Sequence, residues 1–454
     1  MLAQQVEIPI LVGVSVSDIS LNFAQALAIA LRGLQSENSK DLSCAWGFLS
    51  GYIKAHGESI VETLLNEPHI DKLSENGIAT ALLLLPKSKE NWNKVAAFGE
   101  KIENLYWLRV NHFSDIAGKP EEKSFMITKL LQVGRSLDAV YFIAYFLNEK
   151  KGLLDARQMG KMLKINHTEQ KKREYEKIIT ECSEGLTKEL LIQALNEAIQ
   201  EVNKKKIDGN DATMSQYNIL LIFQELDRNN EVSKEEIANL EWMYFPLLEY
   251  SFRPPIALHE AMSMNPEFFV KVLSTIYTPL TDDQNKEKQE IDKDYEAIAS
   301  RAFGLLHSWH LVPGETNGII DGTILENWIL QVKILCKSSG LPAIGDQNVG
   351  RILAFSLAEL NGVWPSIPVR NIIQKFSNRE LEKGIVLGIS EKRGVTSRTM
   401  TEGGIQEKMI ASNYRKWAHE TKIKWPKVAA ILRSIATHFD DEGKYFDDDS
   451  ERTD

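Results

Sequence analysis

Cysteine is scarce in this chain. Its 454 residues include three, Cys44, Cys182 and Cys336, far apart and in no CxxC or Cys/His spacing. Neither a disulfide framework nor a zinc ribbon is indicated, and a reducing cytoplasm is the expected setting. Long apolar runs are also missing. The longest, Ile78 to Leu85 with Thr80 inside and Val140 to Leu147, fall short of the roughly 18 residues a membrane span needs, and Met1 to Val16 has no basic leader region. Strand-like alternation is sparse. No GxxxxGK[ST] loop, GxGxxG turn, GxSxG elbow or HExxH pair is present, so the commonest routes to nucleotide, ester and metalloprotease chemistry lack support. The expectation is a non-enzymatic chain without a cofactor, a catalytic residue or a metal site. Excess positive charge is absent too: the net charge is -10, so any contact with a polyanion must be local.

What the chain has is helical periodicity. Apolar residues recur at three and four through Leu21, Ala24, Ala28 and Leu31, then Trp46, Leu49 and Ile53, then Ile60 and Leu64, then Ile78, Leu82 and Leu85, the pattern of successive amphipathic helices. Gly33, Gly57, Pro68 and Pro86 are the expected breaks. Helix starts are signed by capping boxes at Ser233 to Glu236 and Thr323 to Glu326 and by Asn265 before Pro266; further helices are expected over Tyr295–Leu306, Thr323–Lys337 and Gln347–Leu360. Gly134 to Val140, followed by Tyr141, Phe142, Tyr145 and Phe146, resembles the helix contact of tetratricopeptide-type repeats, in a single unit without a clean period. The expected fold is all-α: an irregular α-solenoid of tetratricopeptide- or HEAT-like helix pairs ending in a compact C-terminal helical cap. The expected division is an N-terminal array over 1–165, a middle array over 166–280 that opens with the charged, lysine-rich stretch from Lys171 to Lys206, a polar linker over 281–294 and a C-terminal domain over 295–454. Apolar patterning begins at Val6, which suggests that a domain or partner continues upstream.

Several clusters have both a plain and a functional reading. His307 and His310 have a spacing that places them on one helical face but lack a third ligand, which favours a packed or surface pair over a metal site. Asp227 to Glu231 begins like a calcium loop, but Val232 and Ala238 occupy the positions that need glycine and glutamate, so it reads as a turn. Trp242, Tyr244, Phe245, Pro246, Tyr250, Phe252, Pro254 and Pro255 fit a core corner better than a peptide groove.

The segment from Lys392 to Gly404 stands apart, being dense in arginine, hydroxyl and glycine. From Lys392 to Arg433 there are ten basic residues against three acidic ones, a net of +7, and from Asp440 to Asp454 eight acidic against two basic, a net of -6. A basic helical pair with an acidic tail behind it could be a phosphate-binding surface for which its own tail competes. The candidate ligand- or partner-binding residues are Arg393, Gly394, Thr396, Ser397, Arg398, Gly403, Gly404, Arg415 and Lys416, with glycine turns for close backbone approach and arginine forks for the anion. The plain alternative pairs Arg393 and Arg398 with carboxylates inside the fold. A nucleic-acid site would centre on Arg393, Arg398, Lys408, Arg415 and Lys416, and an enzyme with an unfamiliar site would draw on Arg393, Ser397, His307 and His310.

Trp364-Pro365, Val369-Arg370, Arg393 to Arg398, Glu402-Gly403-Gly404, Tyr414-Arg415, Trp417-Ala418, Trp425-Pro426 and Leu432-Arg433, together with Arg253-Pro254-Pro255 and Pro266 to Phe269, resemble the C-terminal helical-repeat region of large, poorly characterised bacterial multidomain proteins of defence or signalling systems. The resemblance implies a recognition or scaffold portion with an effector domain upstream. It carries over no catalytic residue. With the residues themselves, it points to an interaction or sensor scaffold with a protein partner, and a phosphate-bearing ligand or nucleic acid at the C-terminal loop.

Overall fold

A computed structural model describes residues 9–17, 21–111, 119–148, 184–204, 210–277, 293–399 and 402–451. The protein is all-α. The described residues contain one strand pair, β1 (Glu315–Thr316) and β2 (Ile319–Ile320), paired antiparallel. Its turn is Asn317-Gly318, both with positive φ, which gives the hairpin a twist that matches its strands.

The chain divides into two compact units, Met1–Ser233 and Lys234–Asp454. The first holds α1 (Pro9–Ser17), α2 (Phe23–Leu34), α3 (Ser39–His56), α4 (Ser59–Leu64), α5 (Glu75–Leu82), α6 (Lys89–Ala97), α7 (Glu100–Trp107), α8 (Pro120–Gln132), α9 (136–148), α10 (Lys188–Lys204) and α11 (Asn210–Arg228). Asn22 caps α2 in a reciprocal box with Gln25. The expected break at Gly33 falls two residues further on, because α2 runs through Leu34. Ala45 packs where a Gly33 side chain would stand, so this glycine serves packing. In the repeat-like stretch, Arg135 donates to the carbonyls of Trp107 and Val110 at 2.8 Å each, tying the start of α9 to the end of α7. The first third of the charged stretch expected from Lys171, through residue 183, lies outside the described residues, as do Cys182 and the 165/166 boundary.

The second unit holds α12 (Lys234–Met243), α13 (Phe245–Leu248), α14 (Ile256–Met264), α15 (Pro266–Ile276), α16 (Lys293–Ser308), the strand pair, α17 (Gly322–Ser338), α18 (Pro342–Leu353), α19 (Ile367–Phe376), α20 (Arg379–Arg393), α21 (Ile405–Thr421) and α22 (Pro426–Glu451). The expected linker over 281–294 lies outside the described residues save for its last two, which open α16. Fully buried Trp309 is the hub of the core. Its ring lies 5.5 Å from Phe269 and 6.0 Å from Trp328, and its indole donates to Ser263 Oγ at 2.9 Å. Asn265 Oδ1 accepts from the amides of Glu267 and Phe268, as its place before Pro266 predicts. The cap expected at Thr323 sits two residues earlier: Asp321 Oδ1 accepts from the amides of Thr323 and Ile324. The helix expected to reach Leu360 ends at Leu353.

The Trp242 to Pro255 cluster forms a corner. Arg253 and Glu241 make a buried ion pair at 2.8 Å, and Glu241 also accepts from the amides of Ala257 and Leu258 at the start of α14. One carboxylate thus serves the arginine and an unsatisfied helix N-terminus. Tyr244 and Phe245 are buried, whereas Tyr250 and Phe252 are exposed.

Candidate binding site

The C-terminal segment forms an antiparallel hairpin. Helices α21 and α22 are joined by a short turn, and Gly404 meets Gly443, where a Cβ on Gly404 would collide with the Gly443 carbonyl. Aromatic side chains bolt the hairpin to the unit: Tyr414 stacks on Phe439 at 5.9 Å and meets Trp364 edge-on at 5.9 Å. At the turn, Trp425 donates to Asn371 Oδ1 at 2.8 Å and the Lys427 amide donates to Gln374 Oε1 at 3.0 Å, so α19 holds it. Arg370, buried on α19, donates to the carbonyls of Pro365 and Val363 and lies 5.1 Å from the Trp425 ring. The Trp-Pro and Val-Arg motifs are therefore packing devices.

The two arginines singled out in the loop converge on one carboxylate. Glu407 is 0% exposed. It accepts from Arg393 and, at 2.9 Å, from Arg398. Arg393 also bonds Glu442 at 2.8 Å and lies 5.3 Å from the Phe439 ring, and Arg398 sits 3.3 Å from the centre of Phe446. Burial pushes the Glu407 carboxyl up, but hydrogen bonds from the two guanidiniums outweigh it, so its pKa falls below the ordinary value. The acidic end of α22 continues the pattern. Asp447 accepts from the Gly404 amide at 2.9 Å and pairs with Lys408, which holds its carboxyl low, and Asp440 pairs with Arg415. Where the sequence suggests an anion site, the chain's own carboxylates stand. Gly394 ends α20 with a positive φ, Thr396 and Ser397 are exposed, and the Ser397 carbonyl accepts from Gln406.

The opposite end of the hairpin differs. Lys416, Lys422, Lys424, Lys427 and Arg433 are exposed and make no ion pair among the described residues. Lys424 lies 4.6 Å from the Trp425 ring, and Lys422 lies 3.3 Å from His419 Nδ1. Glu420 is the one acid between Lys416 and Arg433. Ile423 projects between Lys422 and Lys424 with 90% of its surface exposed. Of the candidate residues, Lys416 alone belongs to this tip. Its other lysines show in the sequence as net charge, but only the hairpin reveals that no carboxylate of the described residues pairs with them.

The residues of the enzyme alternative do not converge. His307 bonds the Phe303 carbonyl, His310 stacks on Phe355 at 4.0 Å and bonds the His307 backbone, and no side-chain to side-chain hydrogen bond joins any two of Arg393, Ser397, His307 and His310. Because α16 ends at Ser308, His310 does not share a helical face with His307. A pair the sequence does not announce is His259 Nε2 and Ser308 Oγ, 3.1 Å apart. The Ser308 hydroxyl also has the Leu305 carbonyl within reach at 3.3 Å, an ordinary helical side-chain to backbone contact. Burial, with nearby His310, lowers the His259 pKa to about 4. A groove of 820 Å³ within the second unit is lined by Trp242, Met264, Phe268 and Ile298. No helix of the described residues is long and apolar enough to cross a membrane, and no group of three His, Cys, Asp or Glu among them could hold a metal ion. No protein family, curated protein or solved structure matches this chain.

Proposed function

We propose that the chain is a non-enzymatic interaction module that presents a cationic surface, the tip of its C-terminal hairpin, to a polyanionic ligand. The division of cations along the hairpin carries this reading. Arg393, Arg398, Lys408 and Arg415 are paired with carboxylates, whereas the exposed cations toward the tip make no ion pair among the described residues, which leaves their charge open to an anionic ligand. The motif resemblance supports placing the module in a bacterial multidomain defence or signalling system as its recognising portion, with any catalysis in another domain or partner protein.

The test is binding of inorganic polyphosphate, followed by calorimetry at low salt. The fourfold variant Lys416→Gln, Lys422→Gln, Lys424→Gln, Lys427→Gln is expected to bind at least tenfold more weakly than the wild type at equal melting temperature. Equal binding by the two proteins would overturn the assignment of the tip.

A further inference from the structure

We infer that the polyanion is a nucleic acid, gripped through its phosphodiester backbone by Lys416, Lys422, Lys424, Lys427 and Arg433, with Ile423 contacting the bases. The inference rests on the polyanion reading above and narrows its ligand.

Three observations carry it. First, the exposed cations gather around the turn of the hairpin. Lys416 lies within two turns of the end of α21, Arg433 within two turns of the start of α22, and Lys422 and Lys424 occupy the connection. At a rise of 1.5 Å per residue the two arms reach about 8 and about 10 Å from the turn, comparable to the axial rise of two or three phosphates of one strand. Second, Ile423 stands exposed between two lysines that make no ion pair among the described residues. An apolar side chain at the apex of a turn, flanked by phosphate-reaching arms, is the arrangement by which proteins wedge against base steps while cations hold the backbone. Third, the rest of the chain opposes non-specific adhesion. The net charge is -10, so a long polyanion needs a local cationic patch, and the acidic turns of α22 lie toward the opposite end of the hairpin, where Glu442, Asp447 and Asp440 are engaged with Arg393, Lys408 and Arg415. An acidic peptide would give Ile423 no particular partner. A bilayer would give it one, but a single isoleucine buries far less apolar chain than lasting membrane attachment needs.

Fluorescence anisotropy of the full chain with labelled duplex DNA and single-stranded RNA, beside polyphosphate, polyglutamate and phosphatidylserine vesicles, tests the inference. Binding to a nucleic acid should weaken with salt along a log-log slope of about four, one contact fewer for each lysine replaced by glutamine, and charge-preserving Lys→Arg replacements should restore it. Ile423→Ser should weaken nucleic-acid binding several-fold with the slope unchanged and leave polyphosphate binding as it was. Polyphosphate or polyglutamate binding without nucleic-acid binding overturns the inference and leaves the polyanion reading standing. Vesicle binding in place of nucleic acid overturns the inference, and no binding to any polyanion overturns both. A nucleic-acid affinity that the fourfold lysine variant leaves unchanged also overturns it.

Discussion

Glu407 joins two guanidiniums inside the fold, so its removal leaves both Arg393 and Arg398 without their shared acceptor. Breaking a buried ion pair typically costs about 3–5 kcal/mol; with the arginines partly solvated, Glu407→Gln should fall near the lower end, about 3 kcal/mol, in urea unfolding at neutral pH. Because the folded-state pKa of Glu407 lies below the ordinary value, its contribution is present above the unfolded carboxylate pKa and is lost as pH falls through the folded one. Stability of the wild type should therefore decline more steeply on acidification than that of Glu407→Gln, and parallel pH profiles would contradict the pairing. His259 acts at a higher pH. It is held neutral when folded, with a pKa of about 4 against an ordinary 6.5, so the unfolded chain binds its proton first and stability is lost as pH falls from 6.5 toward 4. The loss should approach about 3 kcal/mol, and His259→Asn should remove that part of the profile, as read by denaturant titration at each pH.

At the scale of elements, glycine decides which helices meet. A Cβ on Gly384 would run into the Gln347 carbonyl, one on Gly388 into the Arg351 carbonyl and one on Gly350 into the Leu381 carbonyl, so α18 and α20 touch backbone to backbone. An exposed glycine in a helix gains about 1 kcal/mol when replaced by alanine, but here the collision outweighs that gain. Gly384→Ala should cost about 2 kcal/mol or more in chemical denaturation; a stabilised variant would contradict the close seam. Apolar spacing announced most of these helices, and Asn265-Pro266 marked a start to the residue. The Thr323 cap was misplaced by two residues because Asp321 offers a carboxylate to the same amides. The seam was not legible, since a helical glycine reads in sequence as a weak point and only the neighbouring helix makes it a contact. The charge runs of 392–433 and 440–454 were legible as composition; which cation finds a carboxylate depends on the register of α21 against α22, fixed by Gly404, Gly443 and the aromatic stack of Tyr414 on Phe439.

At the scale of the whole molecule, the second unit has its own core, running from Phe245 through Trp309 and Trp328 to Phe439. Expressed alone, residues 234–454 should fold with helical circular dichroism and a single cooperative thermal transition; a broad, non-cooperative melt would contradict its independence. The same unit holds both ends of the charged hairpin, and the proposal assigns them separate tasks: the Glu407 end holds structure and the tip binds. That separation is best tested by measuring melting temperature and polyphosphate affinity side by side on two variants. Arg393→Ala with Arg398→Ala should melt several degrees lower and, while still folded at low temperature, bind polyphosphate as the wild type does. The fourfold lysine variant should melt with the wild type and bind at least tenfold more weakly. Loss of binding in the arginine variant, with the lysine variant unaffected, would contradict the assignment and return the site to the loop.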